Sequence, residues 1–117
     1  MSKILYLPLK KEWYEMIESG VKTEEYREIK PYWTTRLLKD FPIMWRLKFS
    51  YAMYSNDFSE LIGRILHPVY KLVKFSYGYT KRTMTFELEK VVVGKGNKEW
   101  GAPDEDVFII KLGRRVE

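Results

Sequence analysis

Apolar positions along the chain change their spacing repeatedly, and each change marks an element. Ile4 to Leu7 is a short apolar run ending at Pro8, the pattern of a well-buried first strand. Over residues 10–19, Trp13, Met16 and Ile17 recur at i, i+3 and i+4. Lys10, Lys11, Glu12 and Glu15 lie outside that stripe, so the segment is expected to be an amphipathic helix, and Gly20 supplies its stop. Residues 23–29 read as a second strand. Pro31 suits the first turn of another helix, continuing through Trp33, Arg36 and Leu37.

Residues 40–56 are rich in apolar side chains, among them Phe41, Met44, Trp45, Leu47, Phe49, Tyr51 and Tyr54, without clean periodicity. A helix is expected from Asp57 to Leu66. Asp57 and Glu60 have capping-box spacing, Phe58, Leu61, Ile62, Ile65 and Leu66 form one stripe, and Pro68 ends it. The last third alternates instead. Val69 to Phe75 reads as a strand, Tyr77-Gly78-Tyr79 as a turn, and Met84 to Val93 as one long central strand. The loop Gly94 to Pro103 follows, then a closing strand from Val107 to Leu112. Helices early and strands late, without regular βαβ alternation, argue against a doubly wound sheet. The expected architecture is mainly β with flanking helices, an α+β chain built on a small, partly closed β-barrel.

With 117 residues the chain is expected to form a single domain with one core. It carries 21 Lys and Arg against 16 Asp and Glu, a net charge of +5, which favours acidic partners, nucleic acid first and an anionic membrane surface behind it. The aromatic share of 16% serves a core and also suits stacking on bases. Absence of cysteine excludes a disulfide framework, a thiolate nucleophile and a zinc knuckle. With His67 as the single histidine, neither a metal site nor a cofactor is expected. No apolar run approaches membrane-spanning length, and the start Met-Ser-Lys-Ile-Leu lacks a signal-peptide pattern, so a cytoplasmic protein is expected.

The densest chemistry lies in Gly20-Val21-Lys22-Thr23-Glu24-Glu25-Tyr26-Arg27. On a strand, alternation puts Glu25 and Arg27 on one face and Tyr26 on the other. Tyr26 then anchors in a core while the two charges share a surface or cleft suited to a polar, anionic ligand. Lys22 has three readings: a surface lysine favoured by the dipole of the preceding helix, a desolvated lysine acting as a base, or a charge holding a phosphate or carbonyl oxygen. The charge role is favoured. Glu25 and Arg27 are either a surface ion pair worth about 0.2–1 kcal/mol or an arginine fork offered to a phosphate or base edge and oriented by its carboxylate.

Gly20, Lys22, Glu25 and Arg27 match at every position the Gly-x-Lys-x-x-Glu-x-Arg signature of the ASCH domain, a relative of the PUA fold. The resemblance extends to Trp13, to Pro31-Tyr32-Trp33 with Arg36, to Gly78-Tyr79, to the Gly94–Pro103 loop and to the ending Val107 to Gly113. It covers most of residues 3–114 and looks like the compact bacterial and phage type. The departure is at about 38–68, longer than in a compact member and read as a helical insertion or lid. The resemblance implies a PUA-like barrel whose cleft is lined by the signature side chains and which acts on RNA or modified nucleosides. Some small members look like amidohydrolases of N4-acetylcytidine, in which the lysine works with a threonine and a later glutamate. Here Glu25 stands where that threonine would be, and Thr23 lies on a different part of the strand. The catalytic candidates on that alternative are Lys22, Glu25 and Glu99.

Gly94-Lys95-Gly96-Asn97 invites a phosphate-loop reading but lacks the ending of a Walker motif. It is either a turn closed by Trp100 and Pro103, or a loop whose amides and Lys95 or Lys98 line the same cleft. Lys81-Arg82 and Arg114-Arg115 are either solvated pairs or, with Lys22, Arg27 and Arg36, a stripe tracking a nucleic-acid backbone. Tyr77, Tyr79 and Trp33 are the candidate stacking rings, Trp13 and Trp45 core residues, and His67 a helix-end residue. The segment 41–54 completes the core or forms a dimer contact. The favoured expectation is an RNA- or nucleotide-binding domain with its cleft on Lys22, Glu25 and Arg27, and with Arg36, Glu99 and Trp100 in second rank. An enzyme on a modified nucleoside or on RNA, and a protein-interaction module using 38–68, are the alternatives.

Overall fold

A computed structural model describes residues 3–38 and 42–117. Phe41, counted above in the apolar segment, and the first two residues of the Met-Ser-Lys start lie outside the described residues. The elements are β1 (Lys3–Leu9), α1 (Lys11–Glu18), β2 (Glu24–Glu28), α2 (Pro31–Leu37), α3 (Ile43–Ser55), β3 (Ile65–Leu66), β4 (Tyr70–Tyr77), β5 (Thr83–Gly94), a 3-10 turn (Lys98–Trp100) and β6 (Val107–Arg115). The fold is α+β, a curled six-stranded sheet forming a half-barrel with three helices. Its order is β1-β4-β5-β6-β2, with β3 paired to β5.

Curl follows from β5, the longest strand. Its register against β6 shifts between Phe86 and Leu88 and again between Leu88 and Lys90, and such irregularities bend a strand. β1 runs parallel to β4 and β2 antiparallel to β6, which leaves the two early strands at opposite edges of the sheet, joined by α1. β1 runs past Pro8 to Leu9 and is half-buried, not buried throughout: Leu5, Leu7 and Leu9 point inward, Tyr6 and Pro8 outward. Pro8 lacks an N–H, and an edge strand tolerates that loss.

Two cores lie on the two faces of the sheet. The larger takes Tyr14 and Ile17 from α1, Leu37 from α2, Phe49 and Ala52 from α3, and Val73, Phe75, Val91, Val93, Phe108 and Ile110 from the strands. Phe49 stacks on Phe108 with centroids 5.6 Å apart, fastening α3 to β6. The smaller holds Tyr26, Ala102, Val107 and Ile109, with Val92 and Trp100 against it. β6 is therefore buried on both faces, which its unbroken Val-Phe-Ile-Ile run demands. The Gly94–Pro103 loop is the cover of the second core.

The helix expected over Asp57–Leu66 is absent. Asp57 accepts a hydrogen bond from Ser59 N at 3.1 Å, an Asx turn in place of a capping box, and hydrogen bonding by the Ser59 side chain, then by its N–H, lowers the Asp57 carboxyl below its ordinary pKa. Gly63 then turns with φ +79° and donates its N–H to Val93 O at 2.8 Å. Ile65 and Leu66 pair with Val92 and Val91, so the edge of β5 captures a stretch whose stripe was compatible with a helix, and His67 follows a strand. Residues 43–55, with no clean period, are helical. No helix among the described residues is long and apolar enough to cross a membrane.

Candidate functional site

Register fixes the site's layout. Glu25 lies opposite Ile110 and Arg27 opposite Phe108, both larger-core residues, whereas Tyr26 lies opposite Ile109 of the smaller core. The alternation expected on β2 is observed. Gly20 turns the chain off α1 at φ +87°, and Lys22 N donates to Met16 O, so Lys22 leaves the helix end directly for the interior.

Lys22 is neither a surface lysine nor free for a ligand. It is 2% exposed, and its Nζ donates to Glu25 Oε1 at 2.8 Å and to the Trp100 carbonyl at 2.6 Å. The rings of Trp13 and Tyr26 flank the ammonium at 4.8 and 5.3 Å. An ammonium carries three N–H donors; two are bonded and aromatic faces flank the group. Glu25, 5% exposed, is equally engaged. Its Oε1 also accepts from the Tyr26 N–H at 3.0 Å, and its Oε2 accepts from Arg27 Nη1 at 2.9 Å. Lys22 and Glu25 form a buried tie between β2 and the Gly94–Pro103 loop.

Arg27 is the member of the trio that reaches a cavity. Its Nη1 serves Glu25 and the Tyr26 carbonyl, and the guanidinium lies 5.2 Å from the Trp33 ring. Arg36 approaches the same indole at 5.3 Å and donates to Tyr32 Oη. Arg27, Trp33, Glu28, Tyr26, Gly101, Pro103 and Val107 line an open cleft of about 310 Å³. Lys22 and Glu25 stand behind its wall.

A second network holds the loop. Tyr26 Oη donates to Glu24 Oε2 at 2.7 Å and accepts from the Asn97 N–H at 3.0 Å, while Lys111 Nζ bonds Glu24 Oε1. Burial, then the Glu24 hydrogen bond, push the Tyr26 phenol well above its ordinary value of 10.0. Because the folded pKa is the higher, this stabilisation is full below about pH 10 and is lost as pH climbs from there toward the folded value. Wild type is therefore expected to lose about 1.4 kcal/mol of stability per pH unit above pH 10 that Tyr26→Phe does not lose. Urea unfolding of both proteins between pH 9 and 11.5 measures it, and parallel pH curves would refute it.

The remaining candidates scatter. Glu99 is exposed and enters the loop through its N–H to Asn97 Oδ1, with no hydrogen bond to the Lys22 pair among the described residues; Trp100 offers Lys22 its carbonyl while its ring packs on the smaller core. Lys95 donates to the Asp104 carbonyl and Lys98 pairs with the Asp104 carboxylate. The turn bearing Lys81 and Arg82 leaves the opposite end of β5 from the loop bearing Lys95 and Lys98, and Arg115 pairs with Phe86 near that same far end. Arg82 is held by Glu18, which raises its pKa, and Arg114 bonds Glu87. A continuous basic stripe through all of these is not formed. Tyr79 is exposed at the far turn and Tyr77 packs edge-on against Tyr14, so Trp33 alone of the three stacking candidates stands at the cleft.

Glu24 and Lys111 were not anticipated, and Asn97, Gly101 and Pro103 only as members of the loop. A signal existed for Glu24, which shares the Tyr26 face at i, i+2. Among the described residues no group of three potential metal ligands is present. No protein-family model matches the chain, and neither the curated proteins nor the solved structures searched give a match.

Proposed function

We propose that the chain is an ASCH-type, PUA-like domain that binds RNA or a nucleotide-like ligand in the cleft beside Arg27 and Trp33. The observation carrying this reading is the Arg27 guanidinium. One nitrogen, Nη1, is fixed by Glu25 and the Tyr26 carbonyl, and its plane lies by an indole. Among the described residues Nε and Nη2 take no partner and remain as donors for a phosphate or a base edge, since a guanidinium offers five N–H in a rigid fork. Lys22 and Glu25 act from behind, as positioning residues: Glu25 orients Arg27 and Lys22 neutralises Glu25. Engagement of both Glu25 oxygens and of Lys22 supports binding over hydrolysis, because a general base or nucleophile needs a lone pair facing its substrate.

Fluorescence anisotropy with a single-stranded RNA oligomer tests the proposal. Affinity is expected to fall with salt, as phosphate contacts require, and to drop about ten- to hundredfold in Arg27→Ala, the range of a lost charge-assisted hydrogen bond. Lys81→Ala is expected to leave it unchanged. Equal binding by wild type and Arg27→Ala would overturn the reading. Release of acetate from N4-acetylcytidine, abolished in Lys22→Met, would replace it with a hydrolase.

A further inference from the structure

α3 is apolar on two sides, and the fold uses one of them. Phe49 and Ala52 are buried against the sheet. Met44, Leu47, Tyr51 and Tyr54, together with Ile43, face outward and are 57–91% exposed. The outward residues are not scattered: 44, 47, 51 and 54 are spaced by three, four and three, the a/d seam of a helix that packs against another helix. Beside the seam runs a groove of about 330 Å³ lined by Met44, Leu47 and Tyr51 and edged by Asp57 and Glu60.

We propose that this face is the interface of a twofold homodimer in which α3 packs antiparallel against α3 of a second copy. Area is the first argument. The five outward side chains expose on the order of 700 Å², near the roughly 800 Å² per partner of a stable interface. Self-complementarity is the second. A twofold axis between Leu47 and Tyr51 sets Leu47 against Tyr51 of the other copy and Met44 against Tyr54, pairing aliphatic and thioether side chains with rings at every step. Charge decides the direction. Arg46 and Lys48 lie in the first half of α3, and Asp57 and Glu60 follow its end. Antiparallel packing brings the basic half and positive helix start of one copy toward the acidic end of the other, whereas parallel packing sets like against like.

Sedimentation equilibrium between low micromolar and millimolar concentration measures the mass. Wild type is expected at twice the chain mass, and Leu47→Asp with Tyr51→Asp at the monomer mass. Each substitution acts twice in a twofold interface, so the dissociation constant rises on the order of a hundredfold or more. The chain has no cysteine, which allows a second test free of buried charge should the aspartate variant fail to fold. Met44→Cys/Tyr54→Cys is expected to form disulfide-linked dimers on mild oxidation, and either single variant is not, because an antiparallel seam brings 44 and 54 of different copies within bonding range. A monomeric wild type throughout overturns the proposal. So does a dimer that survives both aspartates, cross-linking in a single-cysteine variant, or a monomer that instead adsorbs to phosphatidylserine vesicles through this face.

Discussion

Glu25→Ala is expected to lower the unfolding free energy by about 3–5 kcal/mol, the cost of leaving one partner of a buried ion pair uncompensated. Lys22, 2% exposed, would be left with a single carbonyl and two rings. Arg27 would lose its orienting carboxylate at the same time. Against a typical total of about 5–15 kcal/mol, that is roughly a fifth of the stability or more, and the melting temperature should fall on the order of 10–20 °C. The double variant Lys22→Met/Glu25→Gln should recover much of this, since removing both charges while keeping volume leaves neither one stranded. Guanidinium or urea midpoints of the two singles and the double measure the coupling. Purely additive losses would show that the pair does not act as a unit. A loss under 1 kcal/mol for Glu25→Ala would mean that solvent reaches Lys22. Salt should change the result little, because buried pairs are weakly screened.

Gly101→Ala should cost about 2–5 kcal/mol, summing a left-handed backbone penalty and an overlap. Gly101 sits at φ +95°, and an added Cβ would lie 2.9 Å from two indole carbons of Trp13. Trp13 is held between that loop and the Lys22 ammonium, so it can yield only by disturbing the cation it covers. Gly20→Ala supplies the control. Gly20 has φ +87° but nothing within 4 Å of an added Cβ, so only the backbone penalty of about 1–2 kcal/mol applies. If the cleft binds RNA as proposed, Gly101→Ala should also weaken that binding, because Gly101 lines the cleft and follows the carbonyl that accepts from Lys22. Equal denaturant midpoints for the two variants would show that Trp13 does not press on the loop.

Residues whose placement depends on short range were legible. Glu25, Tyr26 and Arg27 fall on the expected faces because strand alternation is a property of the backbone. The half-barrel with helices against it followed from the order of patterns along the chain. What stayed hidden was decided at a distance. Burial of Lys22 depends on a carbonyl 78 positions later, and the retreat of Lys22 and Glu25 behind the cleft wall could not be read from their spacing. The Asp57–Glu60 pair fits a capping box and an Asx turn equally, and the choice lay with an unpaired stretch of β5. α3 hid its period because two unlike surfaces, a core and an exposed face, both ask for apolar side chains.

β2 pairs with β6, and this has a consequence for how the protein is made. The lysine of the signature leaves the ribosome 78 residues ahead of the carbonyl it bonds; at 5–20 residues per second that is a wait of about 4–16 s. Until then β2 has no ladder, Tyr26 no loop to cover it, and Glu25 no tie to residue 100. Long-range closure of this kind is also the slow part of folding. A nascent chain stalled before Val107 thus carries the whole signature without the strand that pairs with β2, and on the proposed function ligand recognition waits until β6 is laid down.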